Sequence, residues 1–61
     1  MKYKVIERKH FEADRIGELV FYYTTHEFNE YIVRLNDLVS VGDITYHTTR
    51  KHNVIVVDIY F

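Results

Sequence analysis

The chain has 61 residues, with 8 lysines and arginines against 9 aspartates and glutamates, and its pI is about 6.4. A chain of this length forms a single domain, residues 1–61, and buries only ~60 % of the surface that its unfolded form exposes. The composition excludes three classes: no cysteine is present for disulfides, the 48 % hydrophobic content is too high for a disordered chain, and no apolar run approaches the ~18 residues of a membrane span.

The first third of the chain predicts two strands. Residues 3–8 and residues 19–24 have high β propensity, and the charged stretch 12–18, which contains Gly17, is expected to connect them. The alternative is a helix over 12–22. Five apolar residues there also fit helical spacing: Ala13, Ile16, Leu19, Val20 and Tyr23. We prefer two strands, because glycine and consecutive aromatic residues both lower helix propensity.

The middle of the chain predicts a helix over about 25–38. Its apolar residues recur at the i, i+3, i+4 and i+7 spacing of one helical stripe: Phe28, Tyr31, Ile32, Leu35 and Leu38. Thr24 and Glu27 have the spacing of a capping box, in which each side chain accepts a hydrogen bond from the backbone of the other residue. The helix should end near Ser40, because Gly42 frees the backbone for a turn.

The last third predicts a hairpin. Residues 44–48 alternate between apolar and polar side chains, residues 54–61 are strongly apolar, and the polar residues 50–53 between them indicate a turn. The sequence therefore predicts an α+β domain of ββαββ or βαββ order, in which a small antiparallel sheet packs against one amphipathic helix.

The last strand is apolar on both faces. One face is defined by Ile55, Val57, Ile59 and Phe61. The opposite face carries Val54, Val56, Asp58 and Tyr60. One helix covers only one face, and leaving the other in water forgoes several kcal/mol at ~25 cal/mol per Å² of apolar surface. We therefore predict a homodimer whose interface contains the second set, the alternative being an N-terminal helix over 12–22 that covers the same face.

No motif predicts catalysis, a cofactor or a metal. His26 and Glu30 have i, i+4 spacing, and His47 and His52 flank the predicted turn, but two separate pairs do not make a metal site. Ser40 is the only serine and lacks the glycine elbow of a nucleophile. No glycine-rich phosphate loop is present. We expect a protein that is not an enzyme and binds neither cofactor nor metal.

Protein binding is the function that the composition favours. Six tyrosines in so short a chain should leave several on the surface, where tyrosine suits protein recognition. The expected partner contacts are exposed aromatic and charged residues: Tyr22, Tyr46, His47, Arg50 and Lys51. The first hypothesis is a homodimer that inhibits or modulates a host protein by covering its surface.

Nucleic-acid binding is the second hypothesis. Basic residues cluster near the first strand and at the predicted hairpin tip: Lys2, Lys4, Arg8, Lys9, Arg50 and Lys51. The acids nearly cancel these bases, however, and a domain that binds through counterion release usually has a pI above ~9. The near-neutral charge therefore favours a protein partner.

Two resemblances bear on origin. The segment Val41–Thr48 followed by Val57–Phe61 resembles the helix and hairpin end of the small sporulation-induced proteins of Bacillus, over the C-terminal third of the chain. That likeness implies a structural protein of sporulation without catalytic residues. In size and in residues with AT-rich codons, the chain is similar to phage accessory proteins that inhibit bacterial defence. This second likeness implies a location in the cytoplasm of a bacterial host.

Overall fold

The computed structural model describes residues 1–61 as one sheet and one helix. The elements in chain order are β1 (Tyr3–His10), β2 (Ile16–Tyr23), α1 (Thr25–Ser40), β3 (Thr45–Lys51) and β4 (Val54–Tyr60). This order confirms the predicted α+β class and the ββαββ option.

The sheet has the strand order β2-β1-β4-β3. β1 pairs with β2 and β3 pairs with β4 in antiparallel hairpins, whereas the central strands β1 and β4 are parallel. The sheet is thus mixed, which differs from the wholly antiparallel sheet expected from the sequence. The reason is α1, because it returns the chain to the end of the sheet where β1 finishes, so that β3 runs antiparallel to β1 and β4 runs parallel to it.

The connection between β1 and β2 is shorter than the charged stretch suggested. Gly17 and Glu18 already belong to β2, and a helix over 12–22 is therefore wrong. Ala13 and Asp14 both have left-handed backbone conformations, with φ of 60° and 59°. Two successive left-handed residues reverse the chain within a few positions, which leaves room for eight residues in each strand.

The helix begins as predicted. Thr24 Oγ1 accepts a hydrogen bond from the Glu27 backbone at 3.2 Å, and Glu27 Oε1 accepts one from the Thr24 backbone at 2.9 Å. The hydrogen bond from the Thr24 backbone lowers the pKa of Glu27 below its ordinary value. The helix ends at Ser40, where the sequence predicted that it should stop, and two residues beyond the approximate range 25–38; Gly42 follows with a φ of 81°. This one helix is neither long nor apolar enough to span a lipid bilayer.

The second hairpin has a tighter turn than predicted. Arg50 and Lys51 belong to β3, and only His52 and Asn53 connect it to β4. His52 has a φ of 56°, which supplies the left-handed conformation that a two-residue hairpin turn needs.

The core lies between α1 and one face of the sheet. Its buried apolar residues are Val5, Tyr31, Leu35, Ile44, Ile55, Val57 and Ile59. Val5 and Val57 are fully buried because β1 and β4 are the central strands. The prediction that Ile55, Val57 and Ile59 face the helix is confirmed. The opposite sheet face has no element packed over it, so the alternative in which a second helix covers it is wrong.

Candidate interaction surface

The sheet face opposite α1, which we call the open face, carries alternate residues of all four strands. The strand register arranges these residues in four rows, each running across β2, β1, β4 and β3. Row 1 is Tyr22, Lys4, Val54 and Lys51. Row 2 is Val20, Ile6, Val56 and Thr49. Row 3 is Glu18, Arg8, Asp58 and His47. Row 4 is Ile16, His10, Tyr60 and Thr45.

Row 2 is an apolar band that crosses three strands. Val20 is 44 % exposed, while Ile6 and Val56 are partly covered by their neighbours within the sheet. The flanking rows add Val54 at 37 % and Tyr60 at 45 % exposure. Aliphatic and aromatic side chains thus meet solvent on a face that a helix-covered sheet usually fills with polar residues.

Row 3 alternates in charge across the sheet. The Arg8 guanidinium Nε lies 3.4 Å from Glu18 Oε2, and both side chains are about half exposed. Asp58 is the register partner of Arg8 on the other side. An acid, a base and a second acid therefore lie side by side on β2, β1 and β4.

His10 connects rows 3 and 4. Its Nε2 lies 2.8 Å from Asp58 Oδ1, and its ring stacks on that of Tyr60 with the centroids 4.4 Å apart. This contact explains how an aspartate occupies a central, otherwise apolar strand, because the hydrogen bond with His10 compensates its lost hydration.

The four residues predicted for the dimer interface all lie on the open face, one in each row: Val54, Val56, Asp58 and Tyr60. Sequence reasoning missed the contribution of β1 and β2 to the same face. Alternation in β1 was visible, but Val5 and Ile6 are adjacent apolar residues, and the pattern alone does not indicate which of them faces the helix. The pairing of β1 with β4 determines that Val5 faces the helix and that Ile6 lies on the open face.

The residues predicted to contact a partner do not form one patch. Tyr22 lies on the open face at the β2 edge, whereas His47 and Lys51 lie on the same face at the opposite edge, on β3. The remaining two, Tyr46 and Arg50, alternate with them on β3 and therefore point to the helix side of the sheet.

Tyr46 and Arg50 both make contacts within the chain. The Tyr46 hydroxyl donates a hydrogen bond to Asn36 Oδ1 on α1 at 2.6 Å. The Arg50 guanidinium lies 4.8 Å from the centre of the Tyr3 ring, and its Nε donates to the His52 carbonyl at 3.0 Å. Arg50 nevertheless remains exposed, so the helix side of the β3 edge offers a fixed cationic and aromatic surface.

The basic residues of β1 are divided between the two sheet faces. Lys4 and Arg8 lie on the open face, whereas Lys9 lies on the helix side with Nζ 3.6 Å from Glu7 Oε1. Because Glu18 also pairs with Arg8, the strand presents no continuous cationic surface to a phosphate backbone.

A cavity of about 270 Å³ lies between the second half of α1 and the sheet. Its polar floor is Glu7, which is buried and accepts a hydrogen bond from the Tyr31 hydroxyl at 2.6 Å. Burial, and then the bond to Glu7, raises the pKa of the Tyr31 hydroxyl far above its ordinary value. No buried side-chain polar atom lacks a hydrogen-bond partner, so the Glu7 carboxylate in this cavity already has its partner within the chain.

The four histidines lie on different parts of the chain, and His10 on β1 contacts Asp58 on β4. His26 Nε2 lies 2.8 Å from Glu30 Oε1 on the exposed side of α1, as the i, i+4 spacing indicated. His47 is on the open face and His52 is in the β3–β4 turn. No three histidine, aspartate or glutamate side chains come together in a way that suits a metal ion. Ser40 donates its hydroxyl to the Asp37 carbonyl at 2.8 Å, the usual role of a serine at a helix end.

The open face combines exposed apolar residues with a row of alternating charge. Neither the models of known protein families nor the curated proteins contain a match to this chain. Its function is therefore argued from the residues of the open face and of the β3 edge.

Proposed function

We propose that the protein is a non-enzymatic homodimer that buries its open face against a second copy and binds a host protein with the surface that remains. In this proposal it is a phage or mobile-element accessory protein that acts in the bacterial cytoplasm, where it inhibits or modulates a host defence protein. The observation that supports dimerisation is the apolar band of row 2, which no element of the chain covers.

The energetic reason is the small size of the domain. At ~0.05–0.15 kcal/mol per residue, a chain of this length has a stability of only ~3–9 kcal/mol. Complete burial of one valine or isoleucine side chain contributes ~1.5–3 kcal/mol. Val20 is 44 % exposed, and Ile6 and Val56 are already partly covered, so each contributes only part of this amount when a dimer removes it from water. Together they contribute ~2–4 kcal/mol for each copy, which is a large fraction of the stability of the fold.

Oligomeric state tests this proposal directly. Sedimentation should give about 15 kDa, twice the 7.4 kDa of the chain. Val56→Glu places a charge at the centre of row 2 and should give a monomer, because an unpaired carboxylate is costly to bury. Val20→Glu, at the sheet edge, tests the same band at a position where a charge endangers the fold less.

The matched control is Val33→Glu. Val33 lies on the outer side of α1 and is 59 % exposed, so the same substitution there should leave the dimer intact. Circular dichroism of each variant separates dissociation from unfolding. A monomeric wild-type protein would refute the homodimer, as would folded Val56→Glu and Val20→Glu variants that sediment as dimers.

The β3 edge is the surface proposed for the host protein. Tyr46 and Arg50 lie on its helix side, which a dimer of open faces leaves in solvent, while His47, Lys51 and Tyr22 border the buried face. Arginine and tyrosine are enriched among the residues that dominate binding energy at interfaces. Held in place by Asn36 and His52, they form a largely preorganised contact.

A pull-down from host lysate tests the proposed binding of a host protein to the β3 edge. The wild-type dimer should retain one protein in stoichiometric amount, and the double variant Tyr46→Ala/Arg50→Ala should lose it while still dimerising. Val33→Ala serves as the control on α1. Retention that persists in the double variant argues against the β3 edge, and salt-sensitive recovery of nucleic acid instead supports the nucleic-acid hypothesis.

A further inference from the structure

We propose that the second copy packs on the open face about a two-fold axis parallel to the strands, between β1 and β4, so that Arg8 of each copy faces Asp58 of the other. The inference rests on the proposed homodimer and specifies its geometry. The inference follows from the positions of the charged residues on the open face. Of the two-fold axes compared below, only this one places each central acidic residue opposite a basic residue.

Two sheets with aligned strands are related by a two-fold axis that lies between them in one of two directions. An axis parallel to the strands sets each row over the same row of the second copy and exchanges the strands, so that β1 lies over β4 and β2 over β3. An axis perpendicular to the strands sets each strand over itself and exchanges the rows.

The parallel axis matches apolar and charged residues in rows 2 and 3, at the centre of the face. In row 1, at its end, Lys4 lies over Val54, where a lysine can extend its ammonium into solvent. In row 2, Ile6 of each copy lies over Val56 of the other. In row 3, Arg8 lies over Asp58, and since the two are also neighbours within each sheet, the four side chains form a square of alternating charge. At the ends of row 3, Glu18 lies over His47.

The perpendicular axis produces a mismatch wherever it is placed. Through row 2 it sets row 1 over row 3, so that Lys4 meets Arg8. Between rows 2 and 3 it sets Ile6 over Arg8 and Val56 over Asp58, which buries charges against apolar groups. Through row 3 it sets each residue of that row over itself, so that Arg8 meets Arg8 and Asp58 meets Asp58. Juxtaposed like charges, and charges placed against apolar groups, disfavour these arrangements.

The size of the face makes this matching decisive. Four strands ~4.8 Å apart and seven residues of ~3.4 Å give an area of roughly 20 by 24 Å on each copy. Two such faces bury about 1,000 Å², the lower end of what a stable association needs. An interface this small tolerates few unpaired charges at its centre.

Charge exchange between Arg8 and Asp58 tests whether row 3 of one copy faces row 3 of the other. Arg8→Asp alone puts four acids in the central square, and Asp58→Arg alone puts four bases there. Each variant should raise the dissociation constant of its own homodimer at least ~10-fold. When the two variants are mixed in equal amounts, every facing pair is again one acid and one base, and a heterodimer of about 15 kDa should form.

A double variant restores one acid and one base at positions 8 and 58 within a single chain, and circular dichroism of all three variants checks their folding, because the substitutions remove contacts within the sheet. Each single substitution also removes an opposite charge from its own sheet, where Arg8 contacts Glu18 and Asp58 contacts His10. Arg8→Asp/Asp58→Arg keeps one acid and one base at the two positions and should form a homodimer without mixing. The control Arg34→Asp makes the same charge change on α1 and should keep the wild-type dissociation constant.

Each outcome distinguishes the geometry from the proposed function. A dimeric wild type whose mixed single variants stay monomeric, or whose single variants dimerise as well as the wild type, overturns the axis and leaves the homodimer in place. A monomeric wild type overturns the proposed function itself. Recovery in the mixture, together with a dimeric double variant, supports the homodimer and shows that row 3 of one copy faces row 3 of the other.

The direction of the axis is tested by cysteines in a chain that has none of its own: an oxidised mixture of Val20→Cys and Thr49→Cys should form a disulfide-linked dimer, because only the parallel axis sets β2 over β3 in row 2. A disulfide in Val20→Cys alone, or none in the mixture, overturns the parallel axis.

Discussion

At the residue scale, the buried pair of Glu7 and Tyr31 is the feature least visible in the sequence. Glu7 is only 6 % exposed, and its carboxylate depends on the Tyr31 hydroxyl at 2.6 Å and on the Lys9 ammonium at 3.6 Å. The helical stripe correctly placed Tyr31 in the core. It could not indicate that a glutamate on another element would accept its hydrogen bond, because the two residues meet only through the tertiary fold.

Tyr31→Phe removes that donor and leaves the packing of the ring nearly unchanged. The Glu7 carboxylate is then buried without its shortest hydrogen bond, so the free energy of unfolding should fall by about 1–3 kcal/mol. Urea denaturation at neutral pH and fixed protein concentration measures the difference. Tyr46→Phe is the control, because its partner Asn36 is exposed and water can replace the lost hydroxyl.

The same pair predicts a dependence on alkaline pH. The pKa of Tyr31 is raised in the folded state above its ordinary value of 10.0, so its stabilising contribution is complete below about pH 10 and is lost as the pH rises further. The wild-type protein should therefore lose more stability above that pH than Tyr31→Phe does. Parallel alkaline curves, or a Tyr31→Phe variant as stable as the wild type, would contradict this role.

At the element scale, β2 is an edge strand. Its residues alternate between those whose backbone groups form hydrogen bonds with β1 and those whose backbone groups point away from the sheet. The Lys4 backbone N–H donates to the Asn53 carbonyl at 2.8 Å, so even-numbered residues of β1 bond towards β4 and odd-numbered ones towards β2. Through the register, Leu19 bonds to Glu7 of β1, whereas the backbone groups of Val20 point away from the sheet.

Proline substitutions at two adjacent positions test which residue forms backbone hydrogen bonds with β1. Leu19→Pro removes a hydrogen bond inside the sheet and should lower the free energy of unfolding by about 1–3 kcal/mol more than Val20→Pro, whose N–H has no partner in the strand ladder. Leu19→Ala and Val20→Ala, measured by the same thermal denaturation, correct for the lost side chains. Equal costs for the two prolines after this correction would show that the register is wrong.

Elements with local signals were predicted well, and those without them were not. The capping box of Thr24 and Glu27 fixed the start of α1, because both partners lie within one turn. The start of β2 was missed because the left-handed positions of the turn are occupied by Ala13 and Asp14. Glycine or asparagine at these positions would have indicated a short turn. The parallel pairing of β1 and β4 has no local signal at all.

At the scale of the whole molecule, the sequence predicted half of the candidate interface. Alternation in the last strand identified Val54, Val56, Asp58 and Tyr60 without knowledge of their neighbours. The other half depends on the register of Ile6 with Val56 and of Arg8 with Asp58, which joins segments from the two ends of the chain. Those pairings carry the charge pattern that specifies how two copies fit together.

The central position of β1 and β4 also sets the order of events at the ribosome. The first hairpin and α1 are synthesised first, but the strand that joins them to β3 is residues 54–60, which follows the other four elements in the chain. Until β4 is synthesised, the sheet lacks one of its two central strands, and the edge of β1 that pairs with β4 has no partner. Folding must wait for this late strand, and such pairing between distant segments is intrinsically slow. A chain that stops before Val54 should therefore lack the strand that joins the first hairpin to β3.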